Sequence, residues 1–348
     1  MADLRTREGH ALRVAIVGGG VIGLSCALEL RDAGHDVTVL ARDELGDTTS
    51  ARAGAVWFPF RSAPADRVLA WGARTFERFE ALAADPATGV RMQRGRVLHR
   101  SPAPDLWWTV AVPSVTTIDD PAELPDGVLS ASECTVPVID MSYYLPWLQA
   151  QCDARGVQTR RTEISALEEA FEHGELVVLA AGLTSNDFAA DADLVPVRGQ
   201  TVRLKNPGYF EWTIDDANPD GLTYVIPRRD EIVCGGTDEE GEWGLDLDPA
   251  VEAGVLERAR AWVFARAAAR CASRRFRMRR AARSSTATAT AARASPSPGA
   301  APKPSPHSPR SCRAYAHEQR AVSAHQGEPS WVTNPLARAA PRPPHRRR

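Results

Sequence analysis

The stretch "RVAIVGGGVIGLSCALELRDAGHDVTVLARD", residues 13–43, reads as one complete βαβ unit. Residues 14–17 are apolar in succession, the mark of a buried strand. Gly18, Gly19 and Gly20 follow at once, and then Val21, Leu24, Ala27, Leu28 and Leu30 recur at close to helical spacing. Gly34 ends that helix, and "HDVTVL" (35–40) alternates as a second strand does. Gly18, Gly20 and Gly23 therefore spell G-x-G-x-x-G between a strand and a helix of one βαβ unit. The first allows a tight turn, the second lets the backbone approach a pyrophosphate, and the third lets helix pack close on strand. The helix N-terminus offers unpaired N–H groups and the positive end of its dipole to phosphates. Alone the motif is a weak signal; with strand, helix and second strand all in place it predicts a dinucleotide site. The second strand ends in Arg42 and Asp43, where an acid for the ribose hydroxyls is usual, and an arginine there would also suit the extra phosphate of NADP.

The chain has 348 residues, enough for two domains and a sizeable core. Its net charge of -2 hides a division: residues 1–264 hold 24 basic and 42 acidic residues, residues 265–348 hold 18 basic and 2 acidic. No apolar run reaches transmembrane length and "MADLRTREGH" is no signal peptide, so a soluble, cytoplasmic protein without a membrane partner is expected. Cys26, Cys134, Cys152, Cys234, Cys271 and Cys312 are scattered with no C-x-x-C pair, as free thiols in a reducing compartment would be, and no metal site is expected.

Up to about residue 262 strands and helices alternate. "GELVVLAAGL" (174–183) reads as a buried strand ending in a glycine turn, "TVRL" (201–204), "YVIP" (224–227) and "DEIVCGGT" (230–237) as further strands. "DPAVEAGVLERARAWV" (248–263) reads as a helix with Asp248 as N-cap and Pro249 in its first turn. Residues 265–348 are different: no Ile, one Leu (Leu336), two Val (Val322 and Val332), and a dominance of Arg, Ala, Ser and Pro. Such a segment buries too little apolar surface to offset its ordering entropy, so a disordered, solvated basic tail is expected, with nucleic acid the less favoured partner.

Beyond the second strand, "DTTSARAGAVWFPF" (47–60), "VPVRGQTVRL" (195–204) and "TYVIPRRDEIVCGGT" (223–237) complete a set that resembles the D-amino-acid oxidase family, over roughly residues 13–263. The resemblance implies an α/β fold in which a Rossmann-like, glutathione-reductase-like FAD-binding domain (12–60 and 130–200) is interleaved with a mixed-sheet substrate domain (61–129 and 201–262), followed by the tail (263–348). It implies FAD rather than NADP. Gly19, Gly20, Val21 and Ile22 would meet the pyrophosphate, Arg42 and Asp43 the adenosine ribose, and Thr48, Thr49 and Ser50 phosphate and ribitol oxygens. Gly54, Ala55 and Val56 would face the isoalloxazine, Ile164 of "TEISALEE" the adenine end, and Ala181 and Gly182 the next turn against the cofactor. Tyr224 would hydrogen-bond the substrate carboxylate. Tyr209 or Trp212, in "NPGYFEWTIDDANPDG" (206–221), is a candidate lid residue, and Trp57 a neighbour of the flavin.

The implied reaction is oxidation of a D-amino acid by FAD and O2, giving a 2-oxo acid, ammonia and hydrogen peroxide; glycine oxidase-like chemistry and a non-catalytic flavin-binding remnant whose basic tail holds nucleic acid are the alternatives. Such chemistry needs few protein acids, because the cofactor carries the hard step. No G-x-S-x-G, H-x-x-x-H or clustered Cys/His pattern is present. Two features of the family's pattern are also missing: an "H-R-V-G-x-R-P"-like arginine segment and a "Y-G-H-G-G-x-G" turn. A shift of frame in a GC-rich gene after about codon 262 would give the observed tail composition, and a chain so altered would hold FAD weakly and turn over little. The other two frames of the DNA should then contain both segments.

Overall fold

The computed structural model describes residues 11–60, 62–189, 194–260 and 262. The expectations of a disordered tail and of a shifted frame fall on 263–348, outside the described residues. Strands in chain order are β1 (Arg13–Val17), β2 (Asp36–Ala41), β3 (Val90–His99), β4 (Val115–Ile118), β5 (Ser130–Ile139), β6 (Gln158–Arg161), β7 (Leu176–Leu179), β8 (Val197–Arg198), β9 (Thr201–Lys205), β10 (Trp212–Asp215), β11 (Thr223–Pro227), β12 (Glu231–Gly235) and β13 (Glu239–Glu240). The helices before residue 249 are α1 (Val21–Asp32), α2 (Thr49–Arg52), α3 (Ala65–Leu82), α4 (Met141–Ala154), α5 (Leu167–Phe171) and α6 (Asn186–Ala189), among the described residues. One compact unit comprises Met1–Val202 and Asn206–Ala259; of the other, the described residues are Arg203–Lys205, which close β9, Arg260 and Trp262.

In the first unit β1 is the centre of a four-stranded parallel sheet, ordered β6-β2-β1-β7. Both faces of β1 are covered, which is why residues 14–17 read as an unbroken apolar run rather than an alternation. Leu24, Ala27 and Leu28 of α1 pack with Leu145, Leu148 and Cys152 of α4 on one face of this sheet. Burying each such leucine is worth about 1.5–3 kcal/mol. Among the described residues no helix is long and apolar enough to cross a membrane.

The second sheet runs β4-β5-β3-β10-β11-β12 within this unit; all neighbours are antiparallel except β3 and β10, so the sheet is mixed. β5, from the stretch 130–200, pairs here with β3 and β4 and not with the parallel sheet. Its arginine-rich centre is satisfied across strands: Arg96 reaches Glu133 at 2.8 Å and Arg94 reaches Glu211 at 2.6 Å. Two aromatic rings lie over glycines of the neighbouring strand. Trp212 is opposite Gly95, where a Cβ would come within 2.2 Å of the indole, and Tyr224 is opposite Gly235. A glycine inside a strand leaves the room a large ring needs.

Trp212 is therefore fully buried in the sheet core, its Nε1–H donating to Gln93 O at 2.9 Å, and it opens β10 rather than sitting in a surface loop. This corrects the lid expectation for Trp212, and Tyr209 is likewise buried. Trp57 is a packing residue as well: it meets Phe76 edge-on at 5.3 Å and donates to Gly72 O at 2.9 Å. Residues 249–260 are helical, and Asp248 Oδ1 accepts from Ala250 N at 2.7 Å, the cap that the sequence predicts.

Candidate functional site

All four strands of the parallel sheet point their carboxyl ends at one cavity of about 440 Å³. Crevices at such strand ends are where open α/β sheets bind ligands. Gly18, Gly19, Gly20, Ile22, Arg42, Asp43, Thr48, Thr49, Ser50, Ile164, Ala181 and Gly182 all line it. Twelve positions spread over 165 residues of chain thus converge on one wall.

The glycine turn is built for close approach. Gly18 has φ +117°, and a Cβ there would lie 2.2 Å from Ala180 O. Its N–H donates to Leu40 O at 2.9 Å, which ties the turn between β1 and α1 to the end of β2. A Cβ on Gly23 would come within 1.9 Å of Gly18 O, so α1 packs directly on the turn; Gly23 serves packing and does not line the cavity. Among the described residues the N–H groups of Gly19, Gly20 and Ile22 make no backbone hydrogen bond, and the first intrahelical bond is Leu24 N to Gly20 O at 3.0 Å. Unpaired amides at a helix start fit a pyrophosphate. Val21 N–H is different: it donates to Ser50 Oγ at 3.0 Å, so this amide and this hydroxyl hold each other and tie α2 to the start of α1.

Arg42 and Asp43 form a pair at the end of β2, with Nη2 to Oδ2 at 2.9 Å. The hydrogen bond to Asp43 raises the Arg42 pKa, against the opposing pull of burial. The reversed order of base and acid therefore still presents a carboxylate and a guanidinium together on the cavity wall. Thr48 Oγ1 donates to Leu45 O at 2.8 Å, leaving its lone pairs to accept. Glu163, Thr184 and Asp187 also line the cavity and are absent from the sequence-based set. Their signal is positional: Glu163 follows the end of β6, and Thr184 and Asp187 follow the turn after β7.

Gly54, Ala55 and Val56 lie outside this cavity, on the segment leaving α2. That segment is pinned along β5: Ile139 N donates to Ala55 O at 2.8 Å, Val56 bridges Val138, and Trp57 N donates to Pro137 O at 2.9 Å. A Cβ on Gly54 would come 3.7 Å from Tyr224 Cε2 and 2.9 Å from Ile226 Cδ1, so the bare backbone abuts β11. Burial, and after it the Cys234 thiol, pushes the Tyr224 pKa up to about 12. The phenol therefore stays protonated and able to donate at neutral pH.

Arg228, one residue past β11, belongs to the site although nothing in "TYVIPRR" marks it out. It is wholly buried, donates to Ala53 O and to Gly54 O at 3.2 Å, and pairs with Glu231 at 2.8 Å. A charge inside a strand end gives no periodicity signal; only the fold shows that it clamps the Gly54 segment to the Tyr224 hairpin.

The model of the family described as "FAD dependent oxidoreductase" matches residues 13–311, a match that runs past Val263, where the motif resemblance ends. A D-amino-acid oxidase of Rubrobacter xylanophilus is 44% identical over 247 residues, 71% of this chain and 76% of that protein. A D-amino-acid oxidase of Streptomyces coelicolor is 35% identical, over 72% of this chain and 77% of that one. The crystal structure of glycine oxidase from Geobacillus kaustophilus shares the fold with a TM-score of 0.57, at 20% identity, covering 72% of this chain and 78% of that one. With its open amide cradle and close glycine backbone fitting a dinucleotide, the chain belongs to the FAD-dependent oxidoreductases of the DAO family.

Proposed function

We propose that this protein oxidises D-amino acids, releasing 2-oxo acid, ammonia and hydrogen peroxide. One observation carries the reading: the segment that leaves the amide-lined cavity runs as bare backbone at Gly54 against Tyr224, so a ring held along it lies beside a neutral phenol. FAD, when bound, supplies the two-electron acceptor, which O2 then regenerates. The chain's own residues do the rest. Gly19, Gly20 and Ile22 hold the pyrophosphate at the helix start, while Val21, whose amide is bound to Ser50 and which does not line the cavity, only shapes that start, and Arg42 and Asp43 hold the ribose end. Ile164 and Ala181–Gly182 flank the adenosine half, and Thr48 and Thr49 accept or donate to phosphate and ribitol oxygens. Ser50 acts through Val21, as a positioning residue. Tyr224 donates its O–H to the substrate carboxylate; orientation of this kind is worth up to about 7–11 kcal/mol of barrier when geometry is right.

The division into domains follows the two sheets, with β5 assigned to the substrate sheet. A cytoplasmic location is part of the same proposal. To test the activity, peroxide and 2-oxo acid are measured with D-alanine, D-aspartate, L-alanine and glycine. Turnover of D-alanine and not L-alanine supports the reading; turnover of glycine alone replaces it with a glycine oxidase, and peroxide from none of them overturns it.

A further inference from the structure

A second cavity, of about 360 Å³, opens at the carboxyl end of β3 and shares no lining residue with the glycine cradle. We propose that it receives the side chain of the substrate and favours side chains that end in a cation, an ammonium or a guanidinium. The inference rests on the proposed D-amino-acid reading, with the carboxylate at Tyr224.

Register places the cavity within reach. Val97, which lines it, is opposite Ile214, and Ile214 is opposite Tyr224. Directly opposed residues share a sheet face, so cavity wall and phenol lie on the same face, two strand spacings or about 10 Å apart. A long side chain spans that distance and a methyl group does not. Phe58 belongs to both ends: it lines the cavity and packs in the cluster that also holds Val56 and Tyr224.

The chemistry of the lining selects the sign of charge. Phe58 and Trp108 meet edge-on at 5.3 Å, and Trp107 joins them, which gives aromatic surface for a cation to lie on. Arg100 contributes no free positive charge. It is bound bidentately to the wholly buried Asp215, Nε to Oδ1 at 3.0 Å and Nη2 to Oδ2 at 2.8 Å. Asp105 and Asp216, by contrast, line the cavity from exposed positions and have no ion pair among the described residues. His99 is more than nine-tenths buried in the wall, with Nε2 against Ser132 Oγ at 2.8 Å and no partner for Nδ1 among the described residues. Burial lowers the His99 pKa, so the ring adds no positive charge and keeps a polar atom for an incoming group. An acidic side chain would meet two carboxylates and no available cation.

The test titrates the FAD-loaded protein with D-arginine and with D-glutamate, reading the fluorescence of the cavity tryptophans and, anaerobically, the bleaching of the flavin. D-Arginine should saturate at a concentration lower by on the order of tenfold, from one cation–π contact and two rim carboxylates. In the Asp105→Asn, Asp216→Asn double variant that ratio should fall toward one. Equal affinities in the parent protein, or a ratio unchanged in the double variant, would overturn the proposal. Failure of every D-amino acid to bleach the flavin overturns the proposed reaction instead, while the fluorescence ratio still decides the cavity.

Discussion

Replacing Gly235 by alanine should act on the site through a single displaced ring. A Cβ at 235 would lie 2.0 Å from Tyr224 Cζ and 2.3 Å from its hydroxyl oxygen. Carbon contacts settle near 3.5–4.0 Å, so the ring must retreat by about 1.5 Å. A phenol hydrogen bond spans about 2.7–2.8 Å and is gone beyond 3.5 Å, so a shift of that size breaks it. Losing a hydrogen bond to a charged carboxylate costs about 1.5–3 kcal/mol, which is about 10- to 150-fold in affinity. The assay is anaerobic flavin reduction against D-alanine concentration, which separates apparent affinity from limiting rate. Gly235→Ala should weaken apparent affinity within that range, and Tyr224→Phe should do the same. In the Tyr224→Phe background the alanine should add little further loss, because the bond is already absent. Unchanged affinity in Gly235→Ala, or losses that simply add in the double variant, would mean that the Tyr224 hydroxyl does not bind the substrate carboxylate.

Arg228→Met should lower stability by about 3–5 kcal/mol, the usual cost of leaving partners of a buried charge unpaired, toward the lower end because Glu231 is partly exposed; urea unfolding of parent and variant measures it. Ser50→Ala should cost about 1 kcal/mol, since Ser50 Oγ accepts from the first amide of α1 as a cap does, and the rise in melting temperature on adding FAD should shrink with it. Alkaline pH should destabilise the fold through Tyr224. Its folded pKa, about 12, lies above its unfolded value near 10, so the stability it contributes is complete below pH 10 and is lost as pH rises from 10 through 12. Tyr224→Phe should flatten the stability curve in that window by up to about 1.4 kcal/mol per pH unit, an effect that urea midpoints at pH 9.5–11.5 would reveal. Gly18→Ala should abolish cofactor retention, because a Cβ 2.2 Å from a backbone carbonyl cannot be absorbed by a side-chain shift; gel-filtered protein after FAD loading should be colourless.

The parallel half of the molecule was legible because its signals are local. An apolar run, three glycines and a helical period all fall within residues 13–43, and the cavity residues follow the strand ends in order. β10 was not legible: "WTID" sits between Pro, Gly and Asp residues that read as a loop, and only the pairing with Gly95 and Val225 makes it a strand. The same long-range pairing hid Trp212 in the core. Arg228 was illegible for a related reason, as its partners Ala53 and Gly54 lie 175 and 174 residues away. Val21 and Ser50 show a finer limit. Both types suit a phosphate site, and only coordinates show that the amide and the hydroxyl bind each other.

In the proposed arrangement the amide cradle at the start of α1 holds FAD with its ring end beside Tyr224. That arrangement is read from the visible spectrum of the purified, FAD-loaded protein before and after anaerobic addition of D-alanine or L-alanine. The loaded protein should be yellow, with its visible flavin absorption bleached by D-alanine and untouched by L-alanine. Protein that stays colourless after soaking with FAD, or a flavin that neither enantiomer or both alike reduce, would contradict it.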